Sequence, residues 1–264
     1  MGDLARLRDV LTDIGDVVVA FSGGADSAFL AWMATDTLGP ERARVVTAVS
    51  PSLAGFEHDD CATLAEEWSL NWHQVHTAEM ENAAYRLNDA DRCFHCKDAL
   101  MDSLEPILDA AAQTVVLGVN LDDLGDHRPG QQAAAGRGAR FPLVEAGFTK
   151  AAVRSRSREL GLRTWDKPAA ACLASRLPYG TEVSLSILSS VERAETGLRR
   201  LGFDDLRVRH YGDTARIEVP LGAIDALVTR RAEVVDVVRA AGYRYVTLDL
   251  EGLRSGNLNQ ALSD

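Results

Sequence analysis

The sequence has no excess of positive charge: 39 acidic residues outnumber 28 lysines and arginines, which gives a formal net charge of −11. A protein that binds nucleic acid through a broad basic surface is therefore not expected, although a local basic patch is compatible with this balance. No apolar run approaches the roughly 20 residues of a membrane-spanning helix. The first residues carry no apolar signal core. We therefore expect a cytoplasmic protein with no membrane partner and no stable binding to nucleic acid.

Cysteine is scarce, with four residues in the chain. In the cytoplasm such cysteines bind metals, catalyse or fill the core more often than they form disulfides. Cys93 and Cys96 have a Cys-x-x-Cys spacing, which suits a metal or cluster site and equally a redox dithiol. Cys172 lies between prolines and close to cationic residues, which favour a reactive or metal-binding thiolate. Cys61 lies inside a predicted helix and is expected to be a core residue.

The chain also lacks the Walker phosphate loop with its lysine and the Gly-x-Gly-x-x-Gly pattern of dinucleotide-binding proteins. In their place a β-branched run, Val17 to Phe21, leads into Ser22-Gly-Gly-Ala-Asp-Ser27 and then into an apolar helical pattern. Glycines let backbone N–H groups approach a phosphate, and a helix N-terminus favours its negative charge.

The string Ser-Gly-Gly-Ala-Asp-Ser resembles the PP-loop of ATP pyrophosphatases, which bind ATP and release pyrophosphate while adenylating a substrate. The predicted ATP-binding residues of this loop are Ser22, Gly23, Gly24, Asp26 and Ser27. A carboxylate at Asp26 repels phosphate unless a cation lies between them, so this residue predicts Mg²⁺ beside the nucleotide.

Apolar strand patterns alternate with helical ones along the first two-thirds of the chain, which predicts a doubly wound parallel α/β sheet over residues 1–180. Ligands of such sheets bind beyond the carboxyl ends of the strands. Ser50, after the second strand, is a candidate adenine contact. A carboxylate-rich loop follows the strand Thr114 to Gly118, and it is costly unless cations lie among its side chains. Its candidate nucleotide–Mg²⁺ residues are Asn120, Asp123, Asp126 and Arg128.

From residue 181 the pattern changes. A helix is predicted over Ser184 to Leu201, followed by two strands, Leu206 to Tyr211 and Ala215 to Val219, with Gly212-Asp213 as the turn between them. A second helix is predicted over Leu221 to Ala240 and a last strand over Tyr243 to Leu248. This predicts a smaller α+β domain over residues 181–264, which we expect to bind substrate or to form oligomers. Arg207 and Arg209 are two residues apart on one strand and so share a face, as a phosphate clamp requires. From the residues alone, a solvated strand face is an equally good interpretation.

Five segments taken together resemble the LarE family of ATP-dependent sulfur transferases, and the likeness runs from about residue 15 to residue 250. Besides the loop, they are Arg-Cys-Phe-His-Cys-Lys, Asn-Leu-Asp-Asp-Leu-Gly-Asp-His-Arg-Pro-Gly, Lys-Pro-Ala-Ala-Ala-Cys-Leu-Ala-Ser-Arg and Arg-Val-Arg-His-Tyr-Gly-Asp. The resemblance implies a role in making the nickel-pincer nucleotide cofactor of lactate racemase. The implied substrate is pyridinium-3,5-biscarboxylic acid mononucleotide, whose carboxylates are adenylated and then become thiocarboxylates.

The resemblance also implies roles for individual residues. In some family members one cysteine, matching Cys172, gives up its sulfur, and in others three cysteines hold a [4Fe–4S] cluster that carries an extra sulfide. The cysteines here follow the three-ligand pattern, Cys93, Cys96 and Cys172, which favours the cluster. The remaining implied roles are catalysis for Asp26, Ser175 and Arg176, substrate-phosphate binding for Arg207 and Arg209, and divalent-metal binding for Glu195 and Glu218. A homo-oligomer is implied as well.

Two alternatives stay open at this point. A PP-loop enzyme with a cluster can thiolate a transfer RNA base, but the acidic charge and the absence of a basic appendage count against that substrate. The second alternative is a regulator that binds a nucleotide or a metal without turnover. The carboxylates around the predicted ATP site favour a catalytic role over this regulatory one.

Overall fold

The computed structural model describes residues 3–108, 113–125, 129–168 and 171–254. Its first part alternates helices with parallel strands. The strands are β1 (Val17–Ala20), β2 (Ala43–Val49), β3 (Asn71–His76) and β4 (Thr114–Leu117), and the helices are α1 (Leu4–Ile14), α2 (Ala25–Leu38), α3 (Gly55–Glu67), α4 (Ala83–Leu87), α5 (Arg92–Leu104), α6 (Pro129–Gly136), α7 (Pro142–Glu145) and α8 (Lys150–Glu159).

The four strands form one parallel sheet in the order β3-β2-β1-β4. Val17 pairs with Ala43 on one side and with Thr114 on the other. The strand order therefore reverses at β1, and the gap between β1 and β4 is where ligands of doubly wound sheets bind. The predicted fold class is confirmed.

Both faces of the sheet are covered, which explains why its central strands are almost wholly apolar. Val17 and Val19 of β1 join the core formed with α1, α2 and α8, whereas Val18 joins the core formed with α5. The alternation follows from the two-residue period of a strand. The sheet is thus a rigid support for the loops at its carboxyl edge.

The second part of the chain forms a three-stranded sheet in the order β5-β6-β7, with β5–β6 antiparallel and β6–β7 parallel. The helices α9 and α11 share its apolar core with residues of β5 and β6. Its elements are α9 (Leu185–Arg200), β5 (Arg207–Tyr211), β6 (Thr214–Glu218), α10 (Ile224–Thr229), α11 (Arg231–Ala240) and β7 (Tyr245–Leu248).

One predicted helix, Leu221 to Ala240, is divided in the structure. Residues Leu221–Ala223 form a 3-10 turn after Pro220, and α10 and α11 meet at Arg230. Arg230 leaves helical dihedrals (φ −96°, ψ 22°). Its guanidinium binds Leu201 O and the Glu233 carboxylate, and these contacts accompany the break.

The chain divides into two compact units, Met1–Glu81 with Cys93–Ala170, and Asn82–Arg92 with Ala171–Asp264. The segment 82–92 thus belongs with the second unit although it lies inside the sequence range expected for the first domain. The domain boundary expected after residue 180 stays a prediction. Within the described ranges, no helix is both long and apolar enough to cross a membrane.

Candidate active site

The loop between β1 and α2 is closed by its own serines. Ser27 Oγ lies 3.0 Å from Ser22 Oγ, accepts from Ser22 N at 3.2 Å and donates to Gly24 O at 3.1 Å. Gly23 has a φ of 69°, a conformation that favours glycine, and Gly24 precedes the first residue of α2 without a side-chain cap. The N–H groups at the start of α2 are therefore available to an anion, as a phosphate site requires.

Gly118, directly after β4, lets the neighbouring loop approach the start of α2. A Cβ atom at Gly118 would lie 2.7 Å from Ser27 N and 2.8 Å from Ser27 Cα. Only glycine permits this contact, because real Cβ atoms do not come so close to backbone. The loops that follow β1 and β4 are thereby held together at the reversal of strand order.

Asp26, in the first turn of α2, is poised for a cation. Its Oδ1 atom is buried and makes no hydrogen bond of normal geometry with any described residue. Burial raises the pKa of this carboxyl group and the carboxylate of Asp123 raises it further, whereas Lys150, the side-chain amide of Asn120 and Arg154 oppose the shift. A buried carboxylate next to another carboxylate is unfavourable unless a cation joins them.

The loop after β4 is ordered around Asn120, which is fully buried. Its Oδ1 atom accepts from Asp122 N at 3.0 Å and from Asp123 N at 3.3 Å, and Asp123 Oδ2 accepts from Asn120 N at 3.2 Å. The Nδ2 atom of Asn120 makes no hydrogen bond of normal geometry with the described residues, although the side chain acts on the Asp26 carboxyl group and lowers its pKa. The carboxylate of Asp122 binds outside this loop: it accepts from Lys150 N at 2.7 Å, in the first turn of α8, and so caps that helix.

Two cations at the start of α8 were not singled out by the sequence reasoning. Lys150 and Arg154 are one helical turn apart and act on the Asp26 carboxyl, and Arg154 Nε is buried without a partner among the described residues. Their i, i+4 spacing after the Thr149 cap was the available signal. Asp126 and Arg128, also predicted for this site, lie outside the described residues.

Ser50 lies in the turn after β2, at the same edge of the sheet. Its hydroxyl accepts from Ser52 N at 3.2 Å and its carbonyl from Leu53 N at 3.0 Å. The hydroxyl therefore shapes this turn, and a contact with adenine stays a prediction.

The four cysteines differ in exposure. Cys93, in the first turn of α5, and Cys172 are exposed, Cys96 is half-buried, and none forms a disulfide. Cys61 is fully buried, and burial raises the pKa of its thiol to about 11. Its expected place in the core is thus what the structure shows. In the described part of the chain, no group of three or more potential ligands is preassembled for a metal.

Arg176 holds the backbone on either side of Cys172. Its Nη1 atom donates to Ala171 O at 2.6 Å and to Cys172 O at 3.3 Å. Its Nε and Nη2 atoms bind the two oxygens of Glu195 at 2.9 and 3.1 Å. Both side chains are buried. Arg176 therefore acts in this structure as an anchor of the cysteine segment, and Ser175 Oγ lies 3.2 Å from the same Nη1.

A second anchor, missed by the sequence reasoning, comes from the segment before Cys93. Asn88 Nδ2 donates to Pro178 O at 2.8 Å and to Thr181 O at 2.9 Å. Arg92 donates to Asn88 Oδ1 and, at 2.9 Å, to Ala174 O. Asn88 is fully buried in the left-handed conformation (φ 57°), which asparagine tolerates better than most residues. The positive φ could not be read from the sequence.

Arginines also line β5, as the alternation of that strand predicted. Arg209 Nη2 donates to Glu218 Oε2 at 2.9 Å and Nη1 to Ser175 O at 2.7 Å, while its buried Nε has no partner within the described ranges. Burial lowers the pKa of Arg207, and the neighbouring cations Arg209 and Arg176 lower it further. A bound anion would relieve this repulsion, which fits a phosphate.

Glu195 and Glu218 are saturated by donors. Glu195 binds Arg176 and Arg199 and accepts from Val208 N at 2.9 Å, and Glu218 binds two arginines. Guanidinium groups occupy the oxygens that a divalent cation would use, so this arrangement does not fit one. The metal role of the two glutamates stays a prediction, and no step below depends on it.

Comparisons with known proteins agree with this geometry. The sequence model of the NAD synthase family matches residues 6–101, which include the phosphate loop. An uncharacterized protein of Synechocystis is 44% identical over 98% of both chains. The pyridinium-3,5-bisthiocarboxylic acid mononucleotide synthase of Lactiplantibacillus plantarum is 38% identical over 98% of this chain and 94% of its own.

The parallel sheet and its loop define a PP-loop protein of the ATP-using class. Within that class the chain belongs to the LarE family of ATP-dependent sulfur transferases, since its likeness to the Lactiplantibacillus synthase extends over both compact units. It is also 25% identical, over 90% of its length, to an uncharacterized protein of Methanocaldococcus jannaschii.

Proposed function

We propose that the protein adenylates the carboxylates of pyridinium-3,5-biscarboxylic acid mononucleotide and converts them to thiocarboxylates during synthesis of the nickel-pincer cofactor of lactate racemase. The Lactiplantibacillus relative is named for the bisthiocarboxylic acid product. The observation that carries the proposal is the buried Asp26 oxygen beside the loop, which has no hydrogen-bond partner among the described residues and so suits a metal-bound nucleotide.

In the first half-reaction, the N–H groups at the start of α2 bind the phosphates of ATP. A substrate carboxylate oxygen attacks the α-phosphorus, the bond to the bridging oxygen of the β-phosphate breaks, and pyrophosphate leaves with the electron pair. The carboxylates of Asp26 and Asp123 offer oxygen ligands that fit Mg²⁺. When bound, that ion neutralises phosphate charge. Lys150 and Arg154 add fixed positive charge on the α8 side.

In the second half-reaction, a sulfur nucleophile adds to the acyl carbon and AMP leaves. Cysteine thiolates are the usual ligands of iron–sulfur clusters, and Cys93, Cys96 and Cys172 are not joined in disulfides. We propose that these three residues hold a [4Fe–4S] cluster, which when bound would carry the extra sulfide that is transferred. Arg176 keeps the Cys172 backbone in place through its two carbonyl contacts.

The substrate phosphate is assigned to the arginines of β5. Burial lowers the pKa of Arg207, and the cations Arg209 and Arg176 lower it further while Glu218 and Glu195 oppose them, so a dianionic phosphate would favour the charged guanidinium. Glu218 and Ser175 O hold the two terminal nitrogens of Arg209, which leaves its Nε, unpaired among the described residues, to donate to such a ligand.

The activity test is ATP-dependent pyrophosphate release with the pyridinium substrate, followed by the mass of the product. We expect release only when substrate is present, and loss of about a hundredfold or more in Asp26→Asn, because the metal ligand is removed. Asp36→Asn is the matched control, since Asp36 lies on the same helix in an exposed pair with Arg8. Bound ATP with no substrate-dependent pyrophosphate would reject the proposal.

The cluster has its own test. After anaerobic reconstitution with iron and sulfide, we expect a broad absorption band near about 400 nm that Cys93→Ala loses. Cys61→Ala is the matched control and should keep its iron, because Cys61 is a core residue. Wild type without iron would reject the cluster, and a loss of one H₂S from the mass of the protein after turnover would then identify Cys172 as the sulfur donor.

A further inference from the structure

One lysine lies beside the phosphate loop although the loop sequence contains none. A methyl group placed on Gly23 would lie 3.6 Å from Lys167 Nζ and 2.9 Å from Cys61 Sγ. The ammonium group is therefore next to the loop backbone, on the side where α3 packs against it. Because Gly23 has no side chain, no Cβ atom separates the ammonium from the loop.

The ammonium group is held in place by α3. Lys167 Nζ lies 2.7 Å from Glu57 Oε2 and 2.7 Å from Asp60 Oδ2. Glu57 and Asp60 are three residues apart and share the face that carries Cys61 and Leu64 toward Gly23. Two carboxylates thus fix a side chain that is otherwise flexible.

The same contacts keep the lysine charged and leave it one donor. Burial opposes the charge, but hydrogen bonds and Coulomb attraction from Asp60 and Glu57 more than offset it, so the pKa of Lys167 is raised. An ammonium group has three N–H donors, and the two carboxylates accept two of them. Within the described residues, the third N–H has no acceptor.

We propose that Lys167 is a phosphate-binding residue whose third N–H donates to the polyphosphate of the nucleotide at the loop, in the place of the missing Walker lysine. It would stabilise the pyrophosphate that leaves when the α-phosphorus bond breaks. The inference rests on the proposed use of ATP at this site but not on the identity of the acyl substrate.

The competing interpretation is a structural ion pair that ties the segment after α8 to α3, and the chain offers a matched control for it. Arg163 comes from the same segment and pairs with Asp60 at 2.7 Å and with Glu67 at 2.8 Å. It binds the same helix, and it is not among the closest neighbours of a Cβ built on Gly23. Arg163→Gln therefore removes a comparable tie without touching the loop.

The experiment uses calorimetry to measure the affinity for ATP, inorganic pyrophosphate and AMP in the presence of Mg²⁺. Four proteins are compared: wild type, Lys167→Met, Lys167→Arg and Arg163→Gln. The melting temperature of each protein is measured as well. We expect Lys167→Met to weaken ATP and pyrophosphate by roughly tenfold to a hundredfold, the range for a charge-assisted hydrogen bond. AMP should change less than about twofold. Lys167→Arg, which keeps the charge, should retain part of the affinity.

Three results would overturn the inference: unchanged ATP affinity in Lys167→Met, equal weakening of AMP and ATP, or equal weakening by Arg163→Gln. If Lys167→Met does not fold, the decision rests on Lys167→Arg. The proposed phosphate-binding role is rejected if this variant binds ATP no more tightly than it binds AMP. The outcomes are separate from those for the proposed function. Tight ATP binding without conversion of the pyridinium substrate rejects that function and leaves this inference standing.

Discussion

The phosphate-loop site and the arginine site of the second unit handle buried charge in opposite ways. At the loop, Asp26 Oδ1, Asn120 Nδ2 and Arg154 Nε are buried and have no hydrogen-bond partner in the part of the chain that the structure describes. In the second unit, the carboxylates of Glu195 and Glu218 are each bound by two arginines. At the loop a carboxylate oxygen is left for a cation, whereas in the second unit the protein itself satisfies both carboxylates and a guanidinium nitrogen, Arg209 Nε, is left for an anion.

The contrast separates two ways of preparing a site. Unpartnered buried groups cost stability in the free protein, and a cation or phosphate that satisfies them recovers that cost on binding. Paired buried charges gain little net stability, but they fix side chains and backbone. The first arrangement suits a ligand that binds and leaves as a metal complex, and the second suits the rigid support of a cysteine segment.

The largest effect should come from breaking a pair in the satisfied site. Glu218→Ala leaves the guanidinium of Arg209, whose side chain is 3% exposed, without its carboxylate. We expect the free energy of unfolding to fall by about 3–5 kcal/mol, because an uncompensated buried charge remains. Urea denaturation measures the change.

Two controls make this result interpretable. Glu233→Ala breaks an exposed pair with Arg230 and should leave the unfolding midpoint unchanged within error. The double variant Arg209→Met with Glu218→Leu should recover most of the lost stability, since no unpaired charge is left. If the double variant is as unstable as Glu218→Ala, the loss comes from packing and not from charge.

The sequence predicted the local features of the fold closely. The run of mixed polarity from Asn71 to His76 predicts a third strand, and β3 has these bounds. Thr149 precedes a helical pattern and is therefore a predicted cap, and in the structure it accepts from Ala152 N and begins α8. The turn at Gly212 joins β5 to β6 as the two-residue loop predicted, with a φ of 60° at the glycine. Each of these features is determined by residues that lie within a few positions of one another in the sequence.

The contacts that support the cysteine segment could not be predicted in the same way. Arg92 reaches Ala174 across 82 residues and Asn88 reaches Thr181 across 93. The acceptors are backbone carbonyls, which every residue carries, so no side-chain type marks them. The proximity of Lys167 to Gly23 also depends on how α3 packs. Tertiary packing decides where these side chains lie, and the hydrophobic periodicity of the sequence does not reveal that packing.

A smaller loss of stability is expected when the close contact between Gly118 and the start of α2 is disturbed. Gly118→Ala places a Cβ atom 2.7 Å from Ser27 N, so α2 must move away from β4. We expect a loss of about 1–3 kcal/mol in stability together with weaker ATP binding, measured by denaturation and calorimetry.

Gly136→Ala is the matched control for that change. Gly136 ends α6, and a Cβ atom there meets nothing within 4 Å. Its stability should stay equal or rise slightly, since alanine favours the helix. Unchanged ATP affinity in Gly118→Ala would show that the distance between the two loops does not matter for the nucleotide.

The smallest predicted effect is a gain in stability instead of a loss. It tests most directly whether the loop site is incomplete without a ligand. Because burial raises the pKa of Asp26 in the folded state, folding disfavours its ionised form. The penalty is fully present above the raised pKa and disappears as the pH falls toward the ordinary value of 3.8. Asp26→Asn should therefore be more stable than wild type at pH 7, by about 1 kcal/mol, and the difference should vanish in acid.

Added Mg²⁺ with ATP should reverse that order, because only the wild-type carboxylate gains a cation. Melting curves at several pH values, with and without nucleotide, measure both effects, and Asp36→Asn should follow wild type throughout. If Asp26→Asn is less stable than wild type at pH 7 without ligand, the carboxylate is satisfied within the protein. The loop site would then be prepared in the same way as the arginine site, and the unpartnered oxygen would carry no argument for a bound cation.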